Sequence, residues 1–238
     1  MEIKKVEGII ISDKPYGESS KILNIMTSEY GIIGVLAKGS KKIKSSLTGV
    51  TGKLTLGNFY IYYKQDKLST LISVDVINSF KNIRLDLDKI NYAAHITNIV
   101  SQILRQDVKL GTYELYISAL TKIDEGLDYK FITSILELKL LDILGVMPII
   151  DGCAICLDTK NIVTLSSDKG GFVCKKCYKG ERMVSPLTIK IIRMLMYVDM
   201  DNISKVEVDE VVKLELAEFL SSYYEKYTGI YINKHVKV

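Results

Sequence analysis

Along the first eighty residues, apolar positions come in short runs broken by turn residues. Residues 6–12, 20–27 and 31–37 are rich in β-branched and aliphatic side chains, and Glu29-Tyr30-Gly31 makes a turn between the last two runs. Residues 53–56, 58–64 and 68–76 follow, separated by Gly57 and by Gln65-Asp66-Lys67. Five or six short strands at this spacing predict a small barrel of the OB type. Near Asn78 the period changes from two to about 3.6. Ile90, Ala93, Ala94, Thr97, Val100 and Leu104 predict a helix over residues 86–105. Tyr113, Tyr116, Ala119, Leu120 and Ile123 predict a second. Asp128 caps a third, which runs through Phe131, Ile135, Leu138 and Leu141 to a stop at Gly145 with Pro148 beyond. Ser185-Pro186 opens another helix, serine as cap and proline in the first turn, and residues 207–227 read as the last. The fold class is therefore α+β and multidomain: an OB-fold barrel over residues 1–80, a helical domain in two parts over residues 81–150 and 184–238, and a cysteine-bearing insertion over residues 151–183.

Charge sharpens this division. Residues 1–80 carry 11 lysines against 7 acids, and the rest of the chain carries 21 basic and 21 acidic residues. The whole net charge of +4 thus sits in the first third, as expected of a polyanion-binding module joined to a neutral body. The densest cationic stretch lies between the third and fourth strands. Lys38, Lys41, Lys42 and Lys44 supply charge, Ser40, Ser45 and Ser46 supply hydroxyls, and Gly39 lets backbone approach a phosphate. No acid occurs between Glu29 and Asp66, so these cations are not neutralised locally. The alternative reading is a solubilising loop. Tyr60, Tyr62 and Tyr63 with Phe59 are candidates for base stacking, against the alternative that alternate aromatics fill a barrel core.

Four cysteines, Cys153, Cys156, Cys174 and Cys177, form two Cys-x2-Cys pairs separated by seventeen residues. Each pair makes a tight turn that aims two sulfurs at one point, and two such turns offer four thiolates in a tetrahedron, the arrangement that suits Zn2+. With all four positions filled by sulfur the metal is structural rather than catalytic. Gly170-Gly171 turns the chain back, and residues 161–166 form a strand of the resulting zinc ribbon. Buried free thiols, a redox pair and an iron–sulfur cluster are the competing readings. Lys175, Lys176 and Lys179 are a possible secondary DNA contact, or a solvated face that offsets the charge of the thiolates. Of the two histidines, His95 falls in the apolar pattern of the first helix and reads as structural, and His235 lies in the tail.

At 47% hydrophobic and 25% charged residues the chain reads as a folded soluble protein. No apolar run spans a bilayer, and Met1-Glu2-Ile3-Lys4-Lys5 leads into no signal-peptide core, so a cytoplasmic location is expected. No phosphate loop, nucleophile elbow or zinc-hydrolase motif is visible, and nothing in the sequence points to an enzyme.

Several segments together resemble the RecO family. Pro15-Tyr16-Gly17-Glu18-Ser19-Ser20, Thr27-Ser28-Glu29-Tyr30-Gly31 and the stretch from Ala37 to Ser46 follow its N-terminal order. Leu138-Lys139-Leu140-Leu141-Asp142-Ile143-Leu144-Gly145-Val146-Met147-Pro148 looks like its helix end before the metal site, completed by the cysteine pairs and Gly170-Gly171-Phe172-Val173-Cys174. The resemblance implies an N-terminal OB-fold, a helical body and a four-cysteine zinc site. It also implies a DNA repair and recombination mediator that binds single- and double-stranded DNA and anneals strands. With RecR, such a mediator helps RecA replace single-strand-binding protein, without nucleotide hydrolysis. A zinc-ribbon RNA-binding or protein-interaction module is the alternative. Three departures stand out. Residues 52–59 lack the family's Leu-Gln-Pro-Phe, and the basic loop holds lysines where relatives carry arginines. Ser134, Ile135 and Leu136 stand where the family's pocket for the acidic tail of single-strand-binding protein has basic and aromatic residues.

Overall fold

The computed structural model describes residues 2–106, 110–204 and 207–232, so His235 lies outside the described residues. The chain divides into two compact units, residues 1–81 with 100–114, and residues 82–99 with 115–238.

The first unit holds β1 (Glu2–Tyr16), β2 (Ser20–Thr27), β3 (Gly31–Ala37), β4 (Leu56–Tyr63) and β5 (Ser69–Asn78). They form a closed barrel in the order β1-β2-β3-β5-β4, the expected OB-type arrangement. The seam is short: β3 and β5 pair in parallel only at Val35–Ser69 and Leu36–Thr70. Val6, Ile10, Leu23, Ile25, Val35, Phe59 and Ile61 fill the interior, so β4 points alternate residues inward as a half-buried strand must.

Two expectations need correction. β1 is much longer than residues 6–12, because its first half pairs with β4 (Glu2↔Tyr63 to Ile9↔Leu56) and its second half with β2 (Gly8↔Thr27 to Tyr16↔Ser20). Backbone pairing recruits polar ends that carry no apolar signal. Residues 53 and 54 are turn and residue 55 is irregular rather than strand, and Gly57 does not break β4 but sits inside it, opposite Gly8. A Cβ at Gly57 would lie 2.6 Å from the Asp75 carbonyl oxygen, and one at Gly8 would lie 2.7 Å from that of Met26. These glycines mark the corner where β1 changes partners and the backbones close to a distance no side chain fits.

The helices are α1 (Lys81–Arg84), α2 (Leu87–Gln106), α3 (Thr112–Asp124), α4 (Tyr129–Ile143), α5 (Pro186–Tyr197) and α6 (Glu210–Tyr227). The four-residue α1 is too short to show a period and was not expected. Instead of starting at Glu207, α6 starts at Glu210, because Asp209 takes the extended backbone of a cap position (φ −57°, ψ 142°). The caps of α4 follow the sequence. The Phe131 N–H donates to Asp128 Oδ1 at 2.9 Å. At the other end Gly145 (φ 73°) closes a Schellman motif, Val146 N–H donating to Leu141 O at 3.0 Å and Gly145 N–H to Asp142 O at 2.9 Å. Residues 131–138 of α4 are buried without a break, which makes α4 the central helix of the second unit. That burial includes Glu137, whose Oε1 lies 2.8 Å from His95 Nε2 on α2, both side chains fully enclosed. The Tyr224 hydroxyl on α6 donates to the Glu137 carbonyl at 2.8 Å, so three helices meet at one polar knot.

The insertion is a three-stranded sheet of β6 (Ile149–Cys153), β7 (Ile162–Ser166) and β8 (Gly171–Cys174), in the order β6-β8-β7. Arg193 of α5 donates from Nε to Ile150 O at 3.1 Å and stacks 4.9 Å from the Phe172 ring centre. Lys226 of α6 pairs with Asp168 at 2.9 Å, which holds that carboxyl below its ordinary range. Arg182 pairs with Glu218, also of α6.

Candidate metal centre and basic loop

β6 and β8 run parallel and each ends on a cysteine, so the sheet delivers Cys153 and Cys174 to the same end. Each strand then folds into a tight turn that returns the second cysteine of its pair. In the first, Leu157 N–H donates to Cys153 O at 2.8 Å and Cys153 N–H to Asp158 O at 2.9 Å. In the second, Cys177 and Tyr178 N–H groups both donate to Cys174 O at 3.0 Å. The four sulfurs lie within 4.8 Å of one another, and Cys156 and Cys174 Sγ are 3.6 Å apart. Tetrahedral ligands at the zinc–sulfur distance of about 2.3 Å would sit about 3.8 Å from each other, so the arrangement fits a metal of that kind. Cys153 and Cys174 are buried, Cys177 is partly covered and Cys156 is exposed.

The electrostatics single out Cys153 as the thiolate of the group. Burial alone would raise the Cys153 thiol, but the N–H groups of Cys174, Cys156 and Ile155 aimed at its sulfur outweigh burial and bring it down to about 6. Crowding by neighbouring sulfurs, Cys156 first, pushes Cys177 up to about 12. Four thiolates at this spacing repel one another, and a dication among them removes the repulsion. Among the described residues this is the one cluster of His, Cys, Asp or Glu side chains arranged to hold a metal ion.

Gly171 is where the sheet is least tolerant. A Cβ there would lie 2.0 Å from the Ile149 carbonyl oxygen, in the backbone of β6. Gly171→Ala therefore forces β6 and β8 apart and separates Cys153 from Cys174. The expected outcome is weaker metal retention against a chelator, with a destabilisation of roughly 2–4 kcal/mol. Metal content after chelator challenge checks it. Gly170 (φ 80°) has the separate task of turning β7 into β8.

The basic stretch forms the turn-rich connection from β3 to β4. Its first arm is tied to the β1–β2 turn: Lys41 N–H donates to Ser19 O at 2.9 Å and Gly39 N–H to Ser20 Oγ at 3.2 Å. Its second arm returns to β1, Ile10 N–H donating to Thr55 O at 3.0 Å and Leu54 N–H to Ile10 O at 2.8 Å. The loop is thus pinned at both ends while Lys38, Lys41, Lys42 and Lys44 are exposed, none of them in an ion pair among the described residues. The hydroxyls divide. Ser46 is exposed, Ser45 Oγ accepts from Leu47 N–H at 3.2 Å, and Ser40 is buried with its hydroxyl away from solvent.

The aromatics of β4 also divide by face. Phe59 is in the core, while Tyr60 and Tyr62 lie on the outer face. The Tyr60 hydroxyl donates to Asp75 at 3.0 Å, which raises its pKa. Tyr63 packs 4.9 Å from Tyr30, with the Lys4 ammonium over both rings. Lys175, Lys176 and Lys179 are exposed beside the second cysteine pair. Ser134, Ile135 and Leu136 are buried inside α4. Sequence reasoning missed the enclosed His95–Glu137 pair, because a single acid in an apolar helix carries no sign of its partner.

Comparison with known proteins covers nearly the whole chain. Residues 1–80 match the family model described as Recombination protein O N terminal, and residues 84–235 match Recombination protein O C terminal. The chain is 33% identical over 234 residues to the DNA repair protein RecO of Listeria monocytogenes serotype 4a, covering 97% of this chain and 91% of that protein. It is 32% identical over 233 residues to the protein of the same name in Halalkalibacterium halodurans, at 96% and 91% coverage. The Shouchella clausii protein of that name gives 32% over 235 residues, with 96% and 91% covered.

Proposed function

The chain belongs to the Recombination protein O family, and from that premise we propose that it is a DNA-binding mediator of repair and recombination that acts without covalent chemistry. The observation that carries this reading is the pinned loop with four exposed, unpaired lysines on an OB-type barrel. Lys38, Lys41, Lys42 and Lys44 hold phosphates, with Ser46 within reach of them, and the fixed loop ends spare part of the ordering entropy that a free lysine tail would lose on binding. Ser45 shapes the turn, and Ser40 lies beneath the surface.

Cys153, Cys156, Cys174 and Cys177 would hold zinc. When bound, the ion supplies structure rather than reactivity, since all four positions are taken by sulfur. The ligands of the whole protein are single- and double-stranded DNA, held so that two strands can pair, and its protein partners are RecR and single-strand-binding protein, in the service of loading RecA. Burial of Ser134, Ile135 and Leu136 argues that the tail of single-strand-binding protein, if bound, meets a different surface from the family's usual pocket. Among the described residues no helix is long and apolar enough to cross a membrane. The place of such a mediator is the cytoplasm, at the nucleoid.

The test is a Lys41→Ala/Lys42→Ala double variant. Each lysine that neutralises a phosphate contributes about 0.7 to the slope of log affinity against log salt on single strands. The double variant is expected to bind a single-stranded oligonucleotide roughly tenfold more weakly at moderate salt, with the slope reduced by about 1.4. Fluorescence anisotropy at several salt concentrations reads both quantities. Unchanged affinity and slope would remove the loop from the interface.

A further inference from the structure

The cysteine end of the ribbon displays an apolar and cationic surface that neither the metal centre nor the core uses. Ile155 and Leu157, on either side of Cys156, are 49% and 71% exposed, and Tyr178, next to Cys177, is 37% exposed. Because the four sulfurs lie within 4.8 Å of one another, these three residues stand together at one small end of the sheet. Lys175, Lys176 and Lys179 alternate around Tyr178 and are all exposed. Lys176 Nζ lies 4.0 Å from Asp158 Oδ2, so cations of the second turn reach the first. Leu157 is a further sign. Its φ is 63°, the left-handed region that glycine takes without strain, yet the chain keeps there a bulky apolar residue and turns it to solvent.

We infer that this tip is a second nucleic-acid site, one that reads unpaired bases. It rests on the DNA-binding reading above and adds to it. The Tyr178 ring stacks on a base, Ile155 and Leu157 form the apolar wall beside it, and Lys175, Lys176 and Lys179 hold the flanking phosphates. Residues 153–158 and 174–179 carry three lysines against Asp158 and four thiolates around a dication, so the tip is near neutral overall, but all three lysines are exposed while Cys153 and Cys174 are buried. The alternation of exposed cations with an aromatic ring decides for a polyanion that carries bases over a protein partner. A duplex keeps its bases stacked on one another and would offer this surface phosphates alone, so the preference is for single strands.

The chain contains no tryptophan, so Tyr178→Trp places a unique fluorophore on the tip. In the metal-loaded full-length protein, a labelled oligo-dT is expected to quench the indole emission in step with its anisotropy. A blunt duplex at equal phosphate concentration should leave the emission nearly unchanged. Tyr178→Ala, made in the Lys41→Ala/Lys42→Ala background, is expected to weaken oligo-dT binding about five- to a hundred-fold with metal content intact. Leu157→Gly should weaken it with the thermal midpoint unchanged or raised, the mark of a residue held against its backbone preference for binding. Bound oligo-dT by anisotropy with indole emission unaltered would overturn the inference and leave the barrel loop standing. Quenching with no effect of the lysine-loop substitutions would do the reverse. Absence of any oligo-dT binding at low salt would remove both.

Discussion

Cys174→Ser is expected to release the metal and unfold the ribbon while the barrel keeps its structure. Cys174 is buried at the end of β8, its N–H donates to Cys153 Sγ at 3.4 Å, and its carbonyl accepts from both Cys177 and Tyr178. It would therefore supply a ligand, and it already makes a hydrogen bond to a second cysteine sulfur and closes its own turn. Structural zinc binding is worth about 10–16 kcal/mol in small cysteine- and histidine-ligated peptides, and in such sites that energy is folding energy. A three-stranded sheet of five, five and four residues has little apolar core of its own to replace it. Metal analysis of the purified variant should give near-zero occupancy, and amide hydrogen exchange over residues 149–182 should lose its protection. Cys156→Ser removes the exposed ligand and should be milder in exchange, though it too weakens retention. A Cys174→Ser chain with one metal bound and a protected ribbon would contradict the structural role.

Glu137→Leu alone is expected to cost roughly 1–3 kcal/mol, because it leaves the ring nitrogen of the fully enclosed His95 without its hydrogen-bond partner. For a chain of this length that is a fall in thermal midpoint of several degrees. The double variant His95→Leu/Glu137→Leu is expected to recover most of the loss, since two apolar groups of similar volume need no partner. The recovery separates the loss of a specific buried hydrogen-bonded pair from plain loss of packing, in which the two substitutions would add. Denaturant unfolding of the two single variants and the double variant closes the cycle. Additive losses would show that the pair is incidental to the stability of the helical unit.

How much of this was legible in the sequence depends on whether the cause is local. β2 and β3 were readable to the residue because their apolar runs meet at a turn, Glu29-Tyr30-Gly31, whose glycine takes φ 62°. The caps of α4 were readable because Asp128 and Gly145 act on backbone groups within a few positions of themselves. The cysteine site was readable because ligand spacing encodes the turns. Gly57 misled for the opposite reason: it read as a strand break, whereas its meaning lies in the Asp75 backbone opposite. The polar ends of β1 were silent because hydrogen bonding to β2 and β4, not side-chain pattern, makes them strand. In the basic loop the lysines announced themselves, but the burial of Ser40 and the pinning of the loop to Ser19 and Ile10 are tertiary facts. Glu137 was invisible as a partner because a carboxylate in an apolar helix finds its meaning only in the histidine that α2 brings to it.

The most direct test of the account is the salt dependence of binding between the metal-loaded chain and a labelled single-stranded oligonucleotide. The account predicts binding that tolerates sequence changes and falls steeply and log-linearly with salt, with a slope of about 3 from the four exposed loop lysines and about 5 where the three tip lysines also neutralise phosphates. Absence of binding at low salt, or binding that ignores salt, would contradict a protein that holds nucleic acid through an unpaired lysine loop.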